Sequence, residues 1–321
     1  MSKFVQNAPS KKSGAPKETG PDLSVTIAGV VLRNPVIAAS GTFGYGGEYT
    51  KVFDVSLLGG ICTKGLTLAP RAGNSGVRLW ETPSGLLNSI GLENPGIEVF
   101  IEKHLPGLRT LGPAVIANLS GSDIKEYSGG AKLLDSSSID MIELNISCPN
   151  VREGGMSFGL DSESAASVTK AVRGAAPHKP LMVKLSPNAA DLAAIARACI
   201  NAGADALSLV NTFKAMAIDI EQRKPVFDNI SAGLSGPAIR PVALRMVWEL
   251  YESLCPKVPL VGMGGIADAI DALEFLLAGA AAIQVGSATF AHAGAMCEII
   301  KGIPEYMTRM GMTNLHEIRI H

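Results

Sequence analysis

The chain has 321 residues, of which 47% are hydrophobic and only 18% charged, with a net charge of −1. That length suits one large α/β barrel or two average domains, and the near-neutral balance gives no electrostatic case for nucleic acid or an anionic membrane. Five scattered cysteines with no C-x-x-C pair argue against a disulfide framework and against a local zinc or iron–sulfur site.

Residues 1–21 are rich in Ser, Lys, Pro and Gly, and read as a disordered polar tail without the apolar core of a secretory signal. Residues 22–321 are expected to form one catalytic domain. No apolar run reaches the ~18 residues of a membrane span, so a cytoplasmic location off the membrane is expected. Residues 23–32 predict a hairpin turning at Ala28 and Gly29. Then one pattern repeats: a short apolar run, a polar or glycine terminus, a loop and a helical stretch. The runs are 36–39, 60–63, 114–118, 141–145, 181–185, 206–210, 260–263 and 282–285. Helices are predicted over 123–134, 161–173 (stopping at Gly174), 191–201, 237–254 and 268–277, most of them opened by an aspartate. Eight strand-like runs alternating with helices predict a single (β/α)8 TIM barrel with an N-terminal β-hairpin. An open doubly wound sheet is the weaker alternative, because the glycine-rich stretch 41–47 lacks the dinucleotide fingerprint. Connections 65–112 and 212–236 are too long for plain links. Both follow strands, so they are expected to lie as long loops over the C-terminal, catalytic face.

If the runs are barrel strands, their C-terminal ends form one ring. It reads Ser40, Lys64, Asn118, Asn145 with Cys148 just beyond, Lys184, Asn211 and Thr212, Gly264 and Gly265, Gly286 and Ser287. A barrel built only for packing needs no lysines at two strand ends. Glycines after runs seven and eight suit a phosphate, since bare amides donate to an anion; tight turns are the alternative. Lys64 and Lys184 call for an anionic partner, although either alone could snorkel to solvent. Asn88, Asn118, Asn145 and Asn211 each pair a donor with an acceptor, which suits a pyrimidine or a flavin; Asn88, in a loop, also suits a turn. None of the five histidines falls at a strand C-terminus. Cys148, in the stretch MIELNISCPNVREGG at 141–155, is therefore the best-placed proton acceptor, against the alternative of a buried structural thiol. Cys62 and Cys199 read as core, and Cys255 and Cys297 carry no assigned role.

The motifs NPVIAASGTFGYGGEY (34–49), CTKGLTLAPRAGN (62–74), GLLNSIGLENPG (85–96), ELNISCPNVREGG (143–155), VKLSPN (183–188), LVNT (209–212), GLSGPAIRPVALRMV (233–247), GMGGI (262–266) and VGSATF (285–290) resemble class 1 dihydroorotate dehydrogenase, most closely the class 1B catalytic subunit. The resemblance implies an FMN-dependent barrel that oxidises (S)-dihydroorotate to orotate in pyrimidine (UMP) biosynthesis. Cys148 would be the general base. Lys64, Asn88, Ser89, Ile90, Gly91, Leu92, Asn145, Asn211 and Thr212 would hold substrate. Ser40, Lys64, Gly65, Asn118, Asn145, Lys184, Val210, Gly236, Gly264, Gly265, Gly286 and Ser287 would hold FMN. The resemblance further implies a homodimer core joined to an electron-transfer subunit that carries FAD and a 2Fe–2S cluster, forming a heterotetramer that passes electrons to NAD+. A fumarate-reducing class 1A enzyme, a related dihydropyrimidine dehydrogenase and a non-enzymatic flavin-binding barrel are the competing expectations. Cysteine rather than serine at the base position disfavours the membrane-associated class.

Overall fold

The computed structural model describes residues 20–147, 158–254 and 258–319. Most of the expected tail, up to residue 19, lies outside the described residues, as do Cys148, Gly154, Gly155 and Cys255.

Eight parallel strands close a barrel: β1 (Val36–Ala38), β2 (Gly60–Cys62), β3 (Ala114–Leu119), β4 (Met141–Asn145), β5 (Leu181–Lys184), β6 (Ala206–Leu209), β7 (Leu260–Met263) and β8 (Ala282–Val285). They follow one another around the ring in chain order, with β8 pairing back onto β1. Apart from Ala114, every residue of these strands is buried. Helices cover the outer face and side chains fill the lumen, so neither face has reason to alternate with polar residues.

Four outer helices begin where the aspartates predict. The carboxylates of Asp123, Asp161, Asp191 and Asp268 each accept a backbone N–H of the first turn, capping Ile124–Asp135, Ser162–Ala175, Leu192–Asn201 and Ala269–Leu277. Ser162–Ala175 runs through Gly174 rather than stopping there. Arg173 clamps the end instead, donating to the carbonyls of Gly203, Ala176 and Lys179. The stretch expected as a helix from residue 237 opens as a tight turn, Pro237–Ile239, before Arg240–Leu254.

Connection 65–112 is not wholly loop. It holds Ile97–Val99, a wider π turn at Phe100–His104 and Leu105–Thr110. Pro106 and Gly107 disguise this helix in the sequence, yet the proline stands in a first turn, where its missing N–H costs little. The two long connections join one antiparallel sheet, ordered Phe213–Ala215, Ala232–Ser235, Gly85–Asn88, Leu79–Thr82. Leu87, Phe227 and Ala232 form its own small core. Gly236 ends the inner strand at φ +100, and a Cβ there would stand 2.7 Å from Gly85 Cα, so the close crossing of the two backbones requires glycine.

The N-terminal hairpin pairs Val25–Ile27 with Val30–Leu32. Ala28 and Gly29 both adopt positive φ, as a two-residue hairpin turn demands. Among the described residues no helix is long and apolar enough to cross a membrane.

Candidate active site

One cavity opens at the C-terminal ends of the barrel strands, enclosing about 1340 Å³ with its mouth. Ser40, Lys64, Asn118, Asn145, Lys184, Asn211, Thr212, Gly264, Gly265, Gly286 and Ser287 all line it, so the ring expected from the strand ends, apart from Cys148 outside the described residues, is one surface. Gly65, Asn88, Ile90, Gly91, Leu92 and Val210 line it as well. Ser89 and Gly236 do not: Ser89 is buried behind the loop, accepting from Asn74 Nδ2 at 3.0 Å, and Gly236 holds the sheet crossing. Leu79, Leu86, Asn88 and Ser235 bring the antiparallel sheet to the mouth.

Beneath the cavity floor lies a polar layer that sequence reading does not single out. The fully buried Glu143 on β4 accepts from Cys62 Sγ of β2 at 3.1 Å, Ser208 Oγ of β6 at 2.8 Å and Gln284 Nε2 of β8 at 2.6 Å. The four even-numbered strands thus each supply one member, as a barrel layer is built, but with polar groups where aliphatic ones usually pack. Asn118 Nδ2 adds a bond of 2.6 Å, and Lys184 Nζ stands 3.9 Å from the carboxylate. Burial pushes the Glu143 carboxyl up. Lys184 and the hydrogen bonds from Cys62, Gln284 and Ser208 outweigh it and hold the group below the usual carboxylate range. The available signal was an acid in the middle of an apolar parallel strand, a position where an unpartnered carboxylate is prohibitively costly.

Both amides that donate to Glu143 keep an oxygen without a hydrogen-bond partner among the described residues: Asn118 Oδ1 and Gln284 Oε1. Both residues line the cavity. Buried acceptors of this kind are costly unless a ligand or water satisfies them.

At the far wall, Gly264 has φ +124 and Gly265 φ +78. A Cβ on Gly265 would meet Gly236 O at 2.8 Å and Arg240 N at 2.9 Å. The close packing there therefore requires glycine at 265, and Gly264, Gly265, Gly286 and Ser287 all line the cavity.

β4 leaves the barrel under tight control. Asn145 O accepts from Tyr127 Oη at 2.8 Å, and Asn145 Oδ1 accepts from Ser147 Oγ at 2.9 Å. Asn211 Nδ2 donates to Ser147 Oγ at 2.6 Å. Ser147, the residue before Cys148 in the chain, is thus bonded to side chains that follow two different strands. The loop carrying Asn88 and Leu92 is likewise braced: Asn88 Nδ2 donates to Gly233 O at 3.1 Å, and Asn94 Nδ2 to Leu92 O at 2.7 Å.

Two other thiols are chemically quiet. Burial, joined by the charge of Glu143, pushes Cys62 well above the ordinary thiol range, and burial pushes Cys199 up to about 11. Brief alkylation of the native protein should leave both unmodified, as peptide mass spectrometry can check; rapid labelling of either would show that its strand or helix opens.

A family model described as dihydroorotate dehydrogenase matches residues 22–307. The chain is 56% identical over 298 residues to a protein of Petrotoga mobilis, covering 93% of this chain and 98% of the relative. It is 52% identical over 299 residues to one from Geotalea daltonii and 50% identical over 299 residues to one from Geobacter sulfurreducens, each alignment covering 93% of this chain and 97% of the relative. All three relatives are named dihydroorotate dehydrogenase B (NAD(+)), catalytic subunit.

Proposed function

Since the chain belongs to the dihydroorotate dehydrogenase family, we propose that it oxidises (S)-dihydroorotate to orotate in pyrimidine biosynthesis, with FMN bound in the strand-end cavity. The observation that carries this is one cavity lined by two lysines, four asparagines and a group of glycines. The residues fit the cofactor. The orphaned oxygens of Asn118 and Gln284 offer acceptors to a ring N–H, and the wall at Gly264, Gly265, Gly286 and Ser287 offers amides to a phosphate. Lys184 supplies positive charge near the ring, with Ser40, Gly65 and Val210 completing its bed. When bound, FMN supplies the acceptor for the hydride that leaves C6 of the substrate.

The chain's own residues then orient the substrate and move its proton. Asn145, Asn211 and Thr212 hold the pyrimidine edge, Lys64 contacts both substrate and cofactor, and the loop 88–92 covers them. Cys148, next after the pinned Ser147, takes the proton from C5 as general base.

Electrons pass to NAD+ through a partner subunit, in keeping with the names of the relatives. We assign FAD and a 2Fe–2S cluster to that partner. We also assign the assembly as a homodimer of this chain with two such subunits, in the cytoplasm. The test is to reduce the FMN-loaded chain with dihydroorotate and offer acceptors with and without the co-expressed partner. NAD+ should reoxidise the flavin only in the complex. Rapid reoxidation of the isolated chain by fumarate would replace this reading with the fumarate-reducing one.

A further inference from the structure

We propose that Glu143 is a positioning residue: an anion fixed below the cavity floor that sets, through Asn118, Gln284 and Lys184, the polarity which the floor shows to a bound ring. The inference rests on the FMN reading above and extends it to Glu143, which is fully buried and carries no role there.

An ionised carboxylate can only accept hydrogen bonds. Each amide facing it must therefore present its NH2, and the oxygen of that amide must turn elsewhere. Asn118 and Gln284 both do this, at 2.6 Å each, and both are left with an orphaned oxygen in a residue that lines the cavity. The carboxylate thereby fixes the orientation of two amides that a neutral neighbour would let flip. Cys62 and Ser208 donate to the same carboxylate from the other even strands, so its remaining acceptor capacity is filled without water.

The same anion acts on Lys184. The ammonium lines the cavity, and its nitrogen stands 3.9 Å from Glu143 Oε2. In a buried setting that distance gives strong coupling. Part of the cationic field that would favour a reduced, electron-rich ring is therefore neutralised from below. The floor is acceptor-rich with a moderated cation, which suits a ring bearing an N–H donor and holds its electron affinity in check.

The experiment is a potentiometric titration of FMN-loaded wild type and Glu143→Gln, which keeps the shape and removes the charge. With the cation uncompensated, the ratio of reduced to oxidised flavin at a fixed potential should rise at least tenfold, about 30 mV for a two-electron couple. In a Lys184→Met background the same change should move that ratio less than it does with Lys184 in place, because one of the groups through which Glu143 acts is gone; an equal shift in both backgrounds would remove Lys184 from the account. Restoring the charge with Glu143→Asp should bring the ratio back toward wild type. Flavin bound at an unchanged potential in Glu143→Gln overturns this inference alone; wild-type protein that takes up no FMN overturns the functional reading with it. Should the Glu143 variants not fold, Gln284→Met tests the amide arm. FMN affinity should then fall about tenfold, the loss of roughly one good hydrogen bond, and unchanged affinity would overturn the proposal.

Discussion

Replacing Cys148 by alanine should slow reduction of bound flavin by dihydroorotate about 10³-fold, within the range that a positioned general base contributes. FMN content and melting temperature should stay near wild type, because the groups assigned to FMN above do not include that thiol. Serine at this position should retain part of the rate, since a hydroxyl can take a proton but ionises less readily than a thiol. The check is single-turnover bleaching under anaerobic conditions. An alanine variant that bleaches within a few-fold of wild type would remove Cys148 from the chemistry. Among the described residues no histidine lines the cavity to substitute: His178, for example, pairs with Asp135 at the end of an outer helix.

The second large effect should come from Gly265→Ala. Gly265 sits at φ +78, where a side chain costs about 1–2 kcal/mol before any contact is counted. The added Cβ would also meet Arg240 Cβ at 2.7 Å, Gly236 O at 2.8 Å and Arg240 N at 2.9 Å. Two of these are backbone atoms, one at the sheet crossing and one at the start of Arg240–Leu254, so none can yield cheaply. A destabilisation of about 2–5 kcal/mol is expected, seen as a melting temperature lower by several degrees. FMN retention should fall further than stability alone explains, because the same movement disturbs the wall assigned to the phosphate. Calorimetry together with flavin content after gel filtration measures both. Wild-type values in each would show that this turn has slack that its packing denies.

Much of this was legible in the chain because parallel barrel strands advertise themselves. Buried on both faces, they read as mostly apolar runs, and several end at a polar residue or glycine, as β4 does at Asn145 and β7 just before Gly264. Those ends form one face by topology alone, which is why eleven residues scattered from Ser40 to Ser287 meet in one cavity. What was not legible depended on tertiary partners. Glu143 and Gln284 lie inside apolar runs, and only barrel closure brings them together across the lumen. The helical segments from Ile97 to Thr110 were hidden by Pro106 and Gly107. Ser89 sits in a motif beside cavity residues yet turns away, held by Asn74, because alternate positions of an extended segment face opposite sides.

The most direct test of the account is to mix FMN-loaded wild-type protein with (S)-dihydroorotate in the absence of oxygen and any acceptor, and to quantify orotate against flavin. The account predicts complete bleaching and one orotate per FMN. A protein that binds FMN in this cavity but forms no orotate, or that takes up no FMN at all, would contradict it.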